Sequence, residues 1–335
     1  MANPVLVEVM RSAVVESRHS GAVAIVDADG GTVLALGDID RPVFPRSAVK
    51  ALQALRMIET GAADRYGFTD QELALACASH SGESNHVAAA QSMLSRIGLD
   101  ASYLRCGAHP PMHVPSATAL CRAGAEPTAL HNNCSGKHSG FLCLNRMLRA
   151  DPHGYLEPDH PVQREVKATI ESVTGTSIPD EHRAIDGCSV PTWAVPLRHL
   201  ALGLARFGTG NGLAPERAKA AARLRAACAA HPWYVAGTGR FCTEVMQRLG
   251  ARAFVKVGAE GVYLGALPER GLGIAVKCDD GGARAAEVVM AALVLRFAAL
   301  SEDEQAALDH LVRPTLRNWN GIAIGELRPT AILHG

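Results

Sequence analysis

Pro45-Arg46-Ser47-Ala48-Val49-Lys50 is followed by Leu52, Leu55 and Ile58 at helical spacing and by Gly61 as a stop, so the stretch reads as the entry to a helix. Ser47 and Lys50, three residues apart, share a face of its first turn, where free backbone amides and the helix dipole favour a developing oxyanion. A serine hydroxyl is a useful nucleophile only when a base removes its proton. A lysine serves as that base only when burial or a second cation weakens its hold on its own proton. Ser-x-x-Lys occurs by chance in many chains of 335 residues, so its meaning depends on what accompanies it.

Two further segments accompany it. Cys77-Ala78-Ser79-His80-Ser81-Gly82-Glu83 places a small polar cluster between the end of one helix and the start of the next, and Lys256-Val257-Gly258 puts a lysine and a glycine on a strand. Ser-x-x-Lys, then Ser-x-Ser, then Lys-x-Gly on a late strand parallels the motif series of serine β-lactamases and penicillin-binding proteins.

The flanking patterns give the same layout. Gly21-Ala22-Val23-Ala24-Ile25-Val26 and Thr32-Val33-Leu34-Ala35-Leu36 flank an Asp-Gly-Gly turn, which reads as a hairpin. Strand-like runs over 253–257, 262–266 and 273–277 read as an antiparallel meander. Between them the patterns are helical: Thr69-Asp70-Gln71-Glu72 is a capping box, Ser84 is a candidate cap, and helices are expected near 136–150, 161–173, 193–207 and 215–229. The run 283–300 is apolar nearly all round and suits a helix buried on a sheet. The expected class is therefore α/β (α+β): an antiparallel sheet built from N- and C-terminal strands, with a helical insertion. One two-lobed domain over 1–335 follows, with its sheet lobe at about 1–45 and 250–335 and its mainly helical lobe at about 46–249.

Lysine plus arginine and aspartate plus glutamate each number 33, so no net field draws the protein to nucleic acid or anionic lipid. No apolar run is long enough to span a bilayer and no leader-like start is visible, so a soluble cytoplasmic protein is expected. Nine cysteines, an odd number, read as reduced thiols.

A third cluster is Asn132-Asn133-Cys134-Ser135-Gly136-Lys137-His138, joined later by Asp186-Gly187-Cys188. Cys134 and Cys188 form a candidate soft site for Zn²⁺, with His138 the ordinary third ligand and Lys137 an unusual one. Two buried cysteines without a metal are an equal reading of the same residues.

Taken together, Pro45 to Lys50 with Gln53, Ser79 to Glu83, Asn132 to His138, Asp186 to Cys188 and Lys256 to Gly261 resemble the Rhizobium-type L-asparaginase family, also called asparaginase II. The likeness spans essentially the whole chain. It implies a serine β-lactamase-like fold, a homodimer, and hydrolysis of L-asparagine to L-aspartate and ammonia. It also implies two catalytic Ser-Lys pairs, Ser47 with Lys50 and Ser79 with Lys256, and a zinc site of Cys134, Lys137 and Cys188. The Thr-Gly-Gly-Thr-Ile start and the Gly-Asp/His-Gly-Thr self-cleavage segment of threonine-nucleophile asparaginases are absent.

The expected mechanism makes Ser47 the nucleophile and Lys50 its base, with Ser79 and protonated Lys256 relaying a proton to departing ammonia. Arg46, His80 and Asp186 are candidates for holding the substrate's α-carboxylate and α-amine. A different Ser-Lys amidase or esterase, or a noncatalytic zinc-dependent asparagine-binding protein, are the competing readings.

Overall fold

The computed structural model describes residues 2–334 and divides into two compact units. The first unit comprises Met1–Ala48, Val195–Gly212 and Arg252–Gly335. The second comprises Val49–Ala194 and Leu213–Ala251.

The first unit is built on strands β1 (Val5–Arg11), β2 (Val14–Asp27) and β3 (Thr32–Leu36) from the start of the chain. A short pair, β4 (Pro42–Val43) with β7 (Val195–Pro196), follows. Strands β8 (Phe254–Gly258), β9 (Val262–Leu267), β10 (Leu272–Cys278), β11 (Thr315–Arg317) and β12 (Ala323–Pro329) come from its end. Eight of them form one sheet in the order β11-β12-β1-β2-β10-β9-β8, with β3 also on β2 and every pairing antiparallel. The expected union of first and last strands is present: Gly21 to Asp27 of β2 runs against Leu272 to Cys278 of β10. The hairpin turn closes as its composition demands, because Asp27 Oδ1 accepts from Asp29 N at 3.0 Å and Gly31 N at 2.8 Å while Gly30 takes φ +97°.

Burial along β2 shows what covers the sheet. Its first half alternates between exposed and half-buried residues, whereas Gly21 to Val26 are buried on both faces. Helix α8 (Leu197–Thr209) covers one face. Gly273 permits its approach, since a Cβ there would sit 1.9 Å from Ala201 O. Helix α12 (Ala283–Phe297) covers the other face, where Met290 reaches Gly265, and α13 (Glu302–Val312) packs on α12.

This corrects one expectation. The helix expected at 193–207 starts at Leu197, because Trp193 belongs to a strand, and it packs on the sheet rather than standing with the helical insertion. Strands β1 and β12 fell outside the strand readings because β12 is only partly buried and carries Gly325, Glu326 and Pro329 among its apolar residues.

The second unit contains α1 (Lys50–Glu59), α2 (Ala62–Arg65), α3 (Asp70–Ala76), α4 (Ser84–Arg96), α5 (Val114–Arg122), α6 (Ser135–Leu148), α7 (Pro161–Thr174), α9 (Pro215–Ala230), α10 (Pro232–Val235) and α11 (Phe241–Leu249). A hairpin of β5 (Arg183–Ile185) and β6 (Pro191–Trp193) joins them. The capping box forms at Thr69 and Glu72 as expected. At α4, Glu83 rather than Ser84 occupies the cap, and Glu83 N donates to His86 Nδ1 at 3.2 Å. Helices α3 and α6 meet closely at Gly136, where a Cβ would lie 2.2 Å from Leu75 O.

Candidate active site

In the first unit, the turn Arg46–Val49 is a 3₁₀ helix that leads into α1. Arg46 stands in the left-handed region at φ +51°, a conformation that costs energy for a side chain with a Cβ and is frequent at functional turns. Ser47, half-buried, follows it. The turn packs beside β8: a Cβ on Gly258 would meet Pro45 O at 2.6 Å and Ala48 Cβ at 3.2 Å. Glycine at 258 therefore lets the strand carrying Lys256 pass close to the segment carrying Ser47. Lys256 is fully buried, and its Nζ donates to Val257 O at 3.0 Å.

In the second unit, Lys50 opens α1 and is also fully buried. Its Nζ lies 2.6 Å from Ala78 O, 3.0 Å from Ser79 Oγ, 3.1 Å from Cys134 Sγ and 3.4 Å from Asn133 O. Four acceptors surround a group with at most three protons. The loop bearing Ser79 is held from behind, since Ser79 N donates to Val235 O at 3.0 Å and Ser81 Oγ to Ala236 O at 2.9 Å.

Cys134, at the N-cap of α6, also contacts the Asn133 amide oxygen at 2.9 Å. Cys188 lies in the turn Asp186 to Ser189, with Ser189 at φ +74° and its amide on Asp186 O. Cys188 Sγ donates to Asp186 Oδ2 at 3.4 Å. The neighbouring Cys134 and burial push the Cys188 thiol up, whereas Cys134 is held well below the ordinary thiol range by Cys188 and by the Lys50 and Lys137 charges, against the effect of burial. Lys137 Nζ is 2.9 Å from Cys188 Sγ and 3.9 Å from Asp186 Oδ2. Burial opposes the charge on Lys137, but the two cysteines and Asp186 prevail and raise its affinity for the proton.

The structure thus brings together Lys50, Ser79, Cys134, Lys137, Cys188 and Asp186 within the second unit, and places Arg46, Ser47 and Lys256 in the first. His80 is fully buried, and both its ring nitrogens are engaged within the protein. Asn133 and Ser135 stand in the third cluster without a role of their own in the sequence reading, and the 231–240 segment is not singled out there, because residues in irregular loops carry no periodic signal.

For the implied Zn²⁺, the donor chemistry is the test. Among the described residues no group of three or more His, Cys, Asp or Glu side chains is placed to hold a metal. Lys137 Nζ reaches Cys188 Sγ at 2.9 Å, but as an ammonium whose proton is held tightly it must lose that proton before it can be a third donor, and His138 Nδ1 is engaged by Tyr155 OH at 2.7 Å.

The profile of the L-asparaginase II family matches residues 7–329. The chain belongs to the L-asparaginase II family. No curated protein matches the sequence. Among solved structures, the protein named Mglu is 18% identical over 79% of this chain, with a TM-score of 0.34. The match spans 64% of the Mglu chain. A β-lactamase from Mycobacterium bovis is 14% identical over 86% of this chain and 94% of its own, with a TM-score of 0.39. A structure described as a β-lactamase from Bacteroides dorei is 15% identical over 78% of this chain and 85% of its own, with a TM-score of 0.36. No helix among its described residues is long and apolar enough to cross a membrane.

Proposed function

We propose that the protein is an amidohydrolase that cleaves the side-chain amide of L-asparagine to L-aspartate and ammonia through an acyl-enzyme on Ser47. The observation that carries the reading is a fully buried lysine, Lys50, hydrogen-bonded to Ser79 Oγ inside a cluster of Cys134, Lys137, Cys188 and Asp186. A buried amine among acceptors, in a chain of this family, suits proton traffic at an acyl centre.

In this reading Ser47 Oγ adds to the amide carbon as Lys50 takes its proton, and the Ser47 backbone amide donates to the oxyanion. The tetrahedral adduct expels ammonia once its nitrogen is protonated. Ser79 and Lys256 relay that proton, and the same groups direct water onto the ester in the second half-reaction. Ser79 bonded to Lys50 gives the relay a route on which one lysine serves both serines in turn. Asp186 suits the substrate's α-ammonium and Arg46 its α-carboxylate. Zn²⁺ held by Cys134, Cys188 and Lys137 would supply a fixed positive charge for orienting the substrate. We propose a homodimer on the family resemblance alone, and keep the cytoplasmic location as the expectation of the sequence reading.

The test is ammonia release from asparagine, glutamine and an aryl ester by the wild type and by Ser47→Ala. Turnover of asparagine alone, lost in the variant, supports the proposal. Ester turnover with asparagine untouched would indicate a different Ser-Lys hydrolase. Asparagine bound without turnover would indicate a binding protein.

A further inference from the structure

Three aromatic rings form a column behind the Ser79 loop. Trp233 and His86 stack with centroids 3.9 Å apart and planes at 5°, and His86 and His80 continue the stack at 4.9 Å and 18°. Every nitrogen of the two imidazoles is committed. Glu83 N donates to His86 Nδ1 at 3.2 Å, which leaves His86 Nε2–H to donate to Trp233 O at 3.1 Å. Gly82 N donates to His80 Nδ1 at 3.1 Å, so His80 Nε2–H donates to Ser135 Oγ at 2.9 Å. Both imidazoles are fully buried, while Trp233 is half-buried at the outer end.

The two ends of the column are the informative part. His80 follows Ser79 in the chain, and Ser135 follows Cys134 as the first residue of α6. Lys50 bonds to both segments, to Ala78 O and Ser79 Oγ on one side and to Cys134 Sγ on the other. Its geometry is productive only if the two keep a fixed separation, and neither the 77–83 loop nor the 132–134 turn has a regular ladder of backbone bonds to fix it.

We propose that Trp233 and His86 are positioning residues for the reaction: acting through His80 and its bond to Ser135, the column sets the Ser79 loop and the start of α6 in register. The inference rests on Lys50 and Ser79 being the reacting apparatus. Trp233 and His86 themselves stand behind the loop and contact His80, the Glu83 backbone and each other. Stacked rings fit this task because sliding one over another sacrifices contact at both faces, and the hydrogen-bonded edges fix their rotation.

The experiment pairs kinetics on asparagine with hydrogen exchange of the intact protein, read by mass, for wild type, Trp233→Phe, Trp233→Leu and His86→Phe. Trp233→Leu keeps apolar volume and loses the ring. It should lower kcat about ten- to a hundredfold with KM within about twofold, whereas Trp233→Phe should stay within about threefold of wild type. His86→Phe keeps the ring and loses its edge bonds, and should fall between the two. In Trp233→Leu, peptides covering 79–86 and 132–140 should both exchange faster while 272–278 is unchanged. Exchange needs no turnover, so a wild type that proves inert toward asparagine would refute the function and leave the column testable. Wild-type kcat in Trp233→Leu, faster exchange confined to one of the two peptides, or uniform loosening that includes 272–278 would each overturn the proposal.

Discussion

Lys50 and Ser79 share a 3.0 Å hydrogen bond sealed from solvent, although 28 residues lie between them in the chain. Because the amine also contacts Ala78 O and Cys134 Sγ, removing either partner disturbs one connected set of bonds. Lys50→Met and Ser79→Ala should each lower kcat/KM for asparagine by about a thousandfold. The double variant should be no more than about threefold worse, since groups acting as a unit fail together. Ammonia release measures this, and multiplying losses would show that the two act independently.

Metal binding offers a second check. Zn²⁺ titrated calorimetrically into chelator-treated protein should bind one ion per chain, and Cys134→Ser, Cys188→Ser and Lys137→Met should each weaken binding at least about tenfold. Stripping the ion should raise KM more than it lowers kcat. Unchanged affinity in Lys137→Met would restrict the site to its two sulfurs.

Acid stability should report the buried imidazoles. Burial lowers His86 to about 4, and His80 moves in the same direction for the same reason. In the unfolded chain these rings titrate near 6.5, so between about 6.5 and 4 the unfolded state binds more protons and is favoured. Stability should therefore be full above pH 6.5 and decline as pH falls toward 4, with His86 alone accounting for about 3 kcal/mol of the loss. Urea midpoints at pH 7, 5.5 and 4.5 measure it, and His86→Phe should flatten the decline.

Two glycines of α6 should respond oppositely to alanine. A Cβ at Gly136 would meet Leu75 O at 2.2 Å, and two helix backbones would have to separate. Gly136→Ala should cost about 3 kcal/mol and displace Lys137. At Gly140 the nearest atom is Met57 Sδ at 3.4 Å, so Gly140→Ala should be neutral or stabilising by up to about 1 kcal/mol. Thermal melting distinguishes the pair, and equal effects would contradict the close approach of α3 and α6.

Strong local signals made much of this legible. The 21–36 hairpin, the 253–277 meander, the Thr69 capping box and the apolar α12 are each determined by their own residues. Trp193, by contrast, joined a helical pattern in the sequence, because an apolar residue next to a helix start fits either period and only pairing with Arg183 decides. In the site, Lys50, Ser79, Cys134, Lys137 and Cys188 were nameable from motifs. The bond from Lys50 to Ser79 was not, since the motif logic joined Lys50 to Ser47 along one helix face and gave no information about a loop 29 residues downstream. The column of Trp233, His86 and His80 had no sequence signal, because stacking depends on which loops meet and not on spacing.

The pairing of β2 with β10 has a consequence during synthesis. Residues 21–27 emerge from the ribosome roughly 250 residues before their partners at 272–278, an interval of about 12 to 50 s at ordinary elongation rates. Throughout that time one of the most apolar stretches in the protein, Ala22 to Val26, has β3 for a neighbour but lacks the strand that completes its ladder. A nascent chain stalled before residue 278 would present an unfilled sheet edge to its neighbours on the polysome, so the yield of active protein should depend on how quickly the last quarter of the message is translated and on the chaperones that shield the edge.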